Sequence, residues 1–204
     1  MNWFYKLVKN TAYVIFKVVF GLKEYGLDNI SGEGPYILAS NHNSFLDPPI
    51  IGATYPYELM FAAKKELFKI PILGFAIKKL NSVPIDRQGI SLTSLKIIIN
   101  KVREEGKSVI IFPEGTRKHE KDLESGKRGI GFLASKLKIP VIPVYIHNSK
   151  HKFKALFRIS PIIIYYGKPV YFDYESSNKR ELTYRILDEV FEKIKEIKNK
   201  VATK

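Results

Sequence analysis

From residue 36 onward, apolar runs of strand length alternate with segments of helical periodicity, and no other feature restricts the fold of this chain as much. Tyr36 to Ala39, Leu59 to Ala62, Ser82 to Ile85, Ser108 to Phe112, Val141 to Ile146 and Ile162 to Tyr166 read as strands. Helices are expected near 47–54, 65–80 with a break at Pro71, 91–104, 128–138 and 178–198. Such alternation argues for a single α/β domain with a largely parallel central sheet flanked by helices. The 204 residues, 45% of them apolar, suffice for one domain with a sizeable core. The chain has no repeat of fixed period and no low-complexity stretch.

An appendage precedes that domain. The turn-rich string Ser31-Gly32-Glu33-Gly34-Pro35 suggests a boundary, with residues 1–30 as an amphipathic membrane-interface helix and linker and 31–204 as the main domain. In residues 3–22, Lys6, Lys9, Tyr13 and Lys17 fall on one helical face, and Phe4, Leu7, Val8, Val14, Ile15, Val18 and Val19 cover the other. The lysines interrupt any spanning run and fit a signal peptide poorly. An apolar face beside a lysine stripe suits the headgroup boundary of an anionic membrane, with Trp3 and Tyr5 as interfacial anchors. Taken alone, a helix of this kind more often packs on its own core.

Charge and cysteine content narrow the chemistry. Lys and Arg number 34 against 20 Asp and Glu, a net charge of +14, so a polyanionic neighbour is expected: nucleic acid, an anionic bilayer or phosphorylated ligands. The absence of cysteine excludes disulfides, thiolate nucleophiles and Cys-type zinc sites. The four histidines suggest no metal cluster, and no metal is expected.

In α/β sheets functional groups collect in the loops after the carboxyl ends of strands, and two polar motifs stand there. His42 follows the first strand among Ser40, Asn41, Asn43 and Ser44, and should be accessible to solvent. Asp47 comes five positions later, about 500° around an ideal helix, so a bend or a helix start must bring the two together. Pro48 and Pro49 favour a helix start with Asp47 as its cap. An imidazole with a carboxylate partner is a general base whose tautomer is fixed and whose protonated form is stabilised. On spacing alone the commoner reading is a capping aspartate and a surface histidine. A covalent role for Ser44 is disfavoured, because the Gly-x-Ser-x-Gly elbow is missing.

The second motif, Phe112-Pro113-Glu114-Gly115-Thr116-Arg117, follows Val109-Ile110-Ile111. Pro113 ends the ladder, Gly115 permits a tight turn, and Arg117 with the Thr116 hydroxyl suits a phosphate. Glu114 would orient Arg117 or accept from a substrate hydroxyl. The same string also fits an ordinary surface turn. Arg87, after Val83-Pro84-Ile85-Asp86, would bring a second guanidinium to the same sheet edge. Lys127, Arg128, Lys150, Lys152, Lys154 and Arg158 offer further anion contacts or simply solvated faces. Base and anion site together suggest attack by a hydroxyl of a phosphorylated substrate.

These residues resemble the glycerophospholipid acyltransferase family. Its His-x4-Asp motif is matched by His42 and Asp47, its Ile-Asp-Arg by Ile85-Asp86-Arg87, its Phe-Pro-Glu-Gly-Thr-Arg by residues 112–117 and its Ile-Pro-Val strand by Ile142-Pro143-Val144. The similarity covers roughly residues 35–147. It implies that His42 is the general base and Asp47 its support, and that Arg87, Glu114, Gly115, Thr116 and Arg117 hold the glycerol phosphate. The implied reaction moves a fatty acyl chain from acyl-CoA or acyl carrier protein to the sn-2 hydroxyl of 1-acylglycerol 3-phosphate, giving phosphatidic acid. No cofactor is implied, and the enzyme would be peripheral on the cytosolic face of the cell membrane.

The resemblance leaves several points to structure. Backbone N–H groups near Asn43 or Val144 are candidate oxyanion donors. The stretch from Leu67 to Leu80, with Phe68, Ile72, Leu73 and Phe75, is a candidate acyl-chain tunnel and also carries lysines and aromatics suited to a bilayer. Lys118 stands where the family usually has Ser, and Gln88-Gly89 where a basic residue often follows, which bears on the acceptor. The alternatives are glycerol 3-phosphate or another lysophospholipid as acceptor, or a basic nucleic-acid-binding module. The last is disfavoured because the conspicuous aromatics lie in apolar runs rather than between basic residues.

Overall fold

Ile37, Leu38 and Ala39 have no polar face to offer water, and the strand they form, β2 (Ile37–Ser40), lies within the seven-stranded sheet with all three fully buried. The computed structural model describes residues 1–85, 92–113, 123–150, 160–175 and 178–202. Within these the other strands are β1 (Lys23–Tyr25), β3 (Leu59–Lys64), β4 (Ser82–Ile85), β5 (Ser108–Ile111), β6 (Val141–His147) and β7 (Ile163–Tyr166). The sheet order is β1-β7-β6-β2-β5-β3-β4. From β6 to β4 every neighbouring pair is parallel. Only β7 runs antiparallel to its neighbour β6, and β1 then pairs parallel to β7. The α/β reading and the largely parallel sheet hold.

Six α-helices are described: α1 (Trp3–Phe20), α2 (Asp47–Thr54), α3 (Pro71–Lys79), α4 (Leu92–Glu105), α5 (Leu123–Leu137) and α6 (Lys179–Ala202). One core unites Phe16 of α1 and Ile50 and Ile51 of α2 with Leu38, Ile110, Ile142 and Val144 of the sheet. The other unites Ile98 and Val102 of α4, Ile130 and Leu133 of α5 and Ile186 and Val190 of α6 with Ile37, Ala39, Val109 and Val141. Successive residues of β2 and β5 therefore point into opposite cores, as the pleat requires.

Three element readings change. The segment taken as a linker contributes the edge strand β1, whose three residues are too few to show a pattern and pair only because β7 is placed beside them. Residues Lys65–Lys69 form a 3-10 turn rather than the first part of an α-helix. Pro71 forces the chain at Ile70 into an extended conformation (φ −78°, ψ 118°), so α3 starts afresh with the proline in its first turn. Helix α5 begins at Leu123, before the expected 128.

Helix α1 is held to the body by the buried Phe16 and by its polar side. The Asn2 side chain caps it by accepting from the Tyr5 N–H at 2.8 Å, and Gly21 ends it in the left-handed region at φ 59°. The buried Tyr5 hydroxyl accepts from Leu59 N–H at 3.0 Å, Lys9 Nζ donates to Pro56 O at 2.8 Å, and Tyr13 and Lys17 both meet Glu24. Tyr5 is thus an inward anchor, not an interfacial one. Burial lowers the Lys9 pKa; for Lys17 burial works the same way, but the Glu24 carboxylate outweighs it and the pKa rises. Trp3 (76% exposed), Leu7, Val14, Ile15 and Val18 point outward. Among the described residues no helix is long and apolar enough to cross a membrane.

Glu58 ties this arrangement together. Its carboxylate accepts from Asn2 N–H at 2.8 Å and Asn81 Nδ2 at 3.2 Å, and Lys107 Nζ lies 3.1 Å away. Burial alone would raise this carboxyl, but the hydrogen bonds from Lys107, Asn2 and Asn81 outweigh it and the pKa lies below the ordinary 4.5. A lowered native pKa means that Glu58 contributes its full stabilisation above the ordinary value and loses it as pH falls through the native one. Glu58→Gln is expected to destabilise by about 1–2 kcal/mol at neutral pH in urea titration. The gap between variant and parent should close in acid; a constant gap would refute the linkage.

Candidate active site

The sheet's carboxyl edge presents the first motif through a side-chain substitution for backbone. The last paired residue of β2 is Ser40, opposite Val144. Asn41 follows, buried, and its side chain takes over the ladder: Nδ2 donates to Ile146 O at 2.9 Å and Oδ1 accepts from Ile146 N–H at 2.8 Å. An amide side chain carries the same donor and acceptor as a peptide unit, so β6 stays satisfied while the chain turns away at His42.

The turn then closes on Asp47. Its Oδ2 lies 3.0 Å from His42 Nδ1 and accepts from the Asn43 and Ser44 N–H groups at 2.6 and 2.7 Å. Asp47 is the first residue of α2, after Leu46, rather than a cap, and the amides it binds belong to the turn before it. Its side chain is 0% exposed and that of His42 12%, so the histidine is less open than the sequence suggests. A buried carboxylate needs donors, and three converge on this one. Because a carboxylate only accepts, the pair assigns the hydrogen to Nδ1 and leaves Nε2 as the basic nitrogen of the neutral ring.

Phe112 supplies the other constraint. β5 runs beside β2 with Ile111 opposite Ala39, so the next residue reaches the turn, and the Phe112 and His42 rings stack with centroids 4.1 Å apart at 25°. Asn41 and Phe112 are the site residues whose roles the sequence did not reveal. An amide beside the candidate base and an aromatic ending the next parallel strand were the available signals.

Several expectations change or lie elsewhere. The Asn43 N–H is committed to Asp47, and Val144 lies inside β6, so neither is placed as a ready oxyanion donor. Leu67, Ile72, Leu73 and Phe75 have exposed side chains. Arg87, Glu114, Gly115, Thr116 and Arg117 lie outside the described residues, as do Lys152, Lys154 and Arg158. Among the described residues no group of three or more His, Asp and Glu side chains is placed to hold a metal.

A carboxylate-supported imidazole at the carboxyl edge of a parallel sheet is an arrangement able to activate a hydroxyl for group transfer. The chain belongs to the acyltransferase family, whose model, described as Acyltransferase, matches residues 21–147. It is 31% identical over 199 residues to the 1-acyl-sn-glycerol-3-phosphate acyltransferase of Bacillus subtilis, covering 97% of this chain and 98% of that one. A protein of the same name from Streptococcus pneumoniae is 30% identical over 170 residues, 82% of this chain and 62% of the longer relative. The crystal structure of the 1-acyl-sn-glycerophosphate (LPA) acyltransferase PlsC from Thermotoga maritima superposes with a TM-score of 0.71 at 27% identity, covering 95% of this chain and 79% of the other. The chain is accordingly an acyltransferase.

Asp47→Asn keeps an acceptor for the two turn amides but removes the charge that supports His42. It is expected to lower kcat by about 10²–10⁴-fold and to cost about 1–3 kcal/mol in stability. Turnover within tenfold of the parent, in a variant whose thermal melt shows it folded, would show that the base works without this carboxylate.

Proposed function

We propose that this acyltransferase esterifies the sn-2 hydroxyl of 1-acyl-sn-glycerol 3-phosphate with an acyl group from a thioester, acyl-CoA or acyl carrier protein, giving phosphatidic acid. The observation that carries it is the His42–Asp47 pair at 3.0 Å on the sheet's carboxyl edge, in a chain aligned over 97% of its length with a relative of that name. His42 Nε2 takes the acceptor's hydroxyl proton as its oxygen attacks the thioester carbonyl. Asp47 stabilises the imidazolium so formed. Collapse of the tetrahedral intermediate breaks the C–S bond, and the thiolate takes the proton back from the imidazolium, leaving an ester and a free thiol. The base is regenerated.

Glu114, Gly115, Thr116 and Arg117 are assigned to the glycerol phosphate. Chain connectivity supports this: the motif begins two residues after Phe112, which lies against the His42 ring. Arg87 is assigned to the same phosphate by its place in the Ile85-Asp86-Arg87 motif. The reading requires no metal or cofactor.

The membrane assignment rests on α1. A helix that ties Lys9 and Lys17 to the body and turns Trp3, Leu7, Val14, Ile15 and Val18 outward has much of its apolar face where a bilayer, not a core, would cover it. The net charge of +14 favours an anionic leaflet, and we assign the enzyme to the cytosolic face of the cell membrane. Nucleic acid is not the expected partner.

The decisive assay supplies labelled acyl-CoA and acyl carrier protein with a panel of lysolipids and glycerol 3-phosphate. Lysophosphatidate should be preferred, and His42→Ala should lower turnover by about 10²–10⁴-fold; full activity in that variant refutes the assigned base. Arg117→Ala should raise KM for the phosphorylated acceptor by about 10–100-fold, the loss expected of a charged hydrogen bond, with little effect on the donor's KM. Leu7→Glu with Val14→Glu should release the protein from anionic vesicles without unfolding it. Unchanged sedimentation would count against anchoring by α1.

A further inference from the structure

The 3-10 turn Lys65–Lys69 and helix α3 form an elbow whose apolar side chains are turned outward. Ile72 is 87% exposed and Phe75 59%, and Leu67, Ile70 and Leu73 are exposed beside them. In α3 only Gly74 is buried. A contiguous apolar surface of this kind on a soluble domain marks an interaction site. The elbow is also stiff. A Cβ at Gly74 would sit 2.3 Å from the Phe68 carbonyl oxygen, so the helix backbone presses directly on the turn and holds the outward set in place.

Three observations say what covers this surface. First, it is continuous with the outward face of α1, because the Phe4 and Phe75 rings meet at 6.2 Å and Trp3 stacks edge-on to Phe4 at 5.9 Å. Second, it shares the sheet edge of the active site. The turn leaves the carboxyl end of β3, and Phe45, 72% exposed, projects from the loop between His42 and Asp47 after the carboxyl end of β2. Third, Lys64, Lys65, Lys69, Lys78 and Lys79 are exposed along the same stretch, where Glu66 is the one acid. Apolar side chains flanked by cations match hydrocarbon beneath a layer of anionic headgroups. An acidic carrier protein would meet the lysines but leave no reason for Ile72 and Phe75 to join a surface as broad as α1 and α3 together.

We propose that the elbow, with Phe45, is a second membrane-insertion surface, which together with α1 seats the mouth of the active site on an anionic leaflet. The lipid acceptor then reaches His42 laterally, its acyl chain remaining in the bilayer while its hydroxyl rises to the imidazole. This rests on the proposed lipid acceptor.

The test uses the full chain carrying Ile72→Asp and Phe75→Asp, both exposed and outside the catalytic machinery. Sedimentation with phosphatidylglycerol-containing vesicles should weaken at least about tenfold, and acylation of a long-chain lysophosphatidate presented in vesicles should fall with it. Acylation of a hexanoyl lysophosphatidate, monomeric in water, should not change. Unaltered vesicle binding, or equal loss with the hexanoyl acceptor, overturns the proposal, as does a raised KM for acyl carrier protein with vesicle binding intact. A parent that acylates neither acceptor refutes the functional reading, while the sedimentation still decides the surface. Trp3 is the one tryptophan, so Phe75→Trp in a Trp3→Phe chain gives a second readout. Quenching of its fluorescence by brominated lipid is expected, and absence of quenching overturns insertion.

Discussion

The Asp47 carboxylate is the constraint on which the active site depends. It has no exposure and draws three N–H donors onto one oxygen: the His42 ring and the Asn43 and Ser44 amides. Those bonds make a bend out of residues that a regular helix would scatter around its circumference. They also decide which imidazole nitrogen is basic. That one buried carboxylate thereby sets the shape of the loop and the tautomer of the ring, through three donors gathered on Oδ2.

Around that charge the sheet acts as a positioning frame. Asn41 extends the β2–β6 ladder with its side chain and frees the backbone to turn. The parallel register of β2 and β5 delivers Phe112 to the face of the imidazole. With one side against Phe112 and Nδ1 tied to Asp47, His42 is held in the orientation that the proposed reaction asks of its other nitrogen.

The same molecule inverts the usual logic of amphipathic helices. α1 docks through Tyr5, Lys9, Tyr13 and Lys17, and leaves its apolar stripe outside. Polar contacts to Glu24, Pro56 and Leu59 and the burial of Phe16 in the core attach the helix, so the outward stripe of Leu7, Val14, Ile15 and Val18 is not needed for it. The elbow of α3 likewise leaves its large apolar side chains outside. Both surfaces belong to an enzyme whose proposed acceptor and product are lipids.

Much of this was legible in the chain itself. The apolar runs that became β2 to β7 and the break at Pro71 follow from local rules, side-chain periodicity and proline geometry, whereas the His42–Asp47 pairing was legible only through the family's His-x4-Asp motif, since spacing alone favours a capping aspartate and a surface histidine. What periodicity cannot carry is orientation and register. The same helical pattern in α1 fits a core-facing or an outward apolar stripe, and only contacts with residues up to 56 positions away, such as Glu58 with Asn2, decided between them. β1 exists because β7 lies beside it, Asn41 completes a ladder with a residue 105 positions distant, and Phe112 meets His42 through the register of two strands. Sequence determined the elements and the chemistry they carry, because both depend on neighbours along the chain; tertiary structure decided which groups meet, because that depends on neighbours across it.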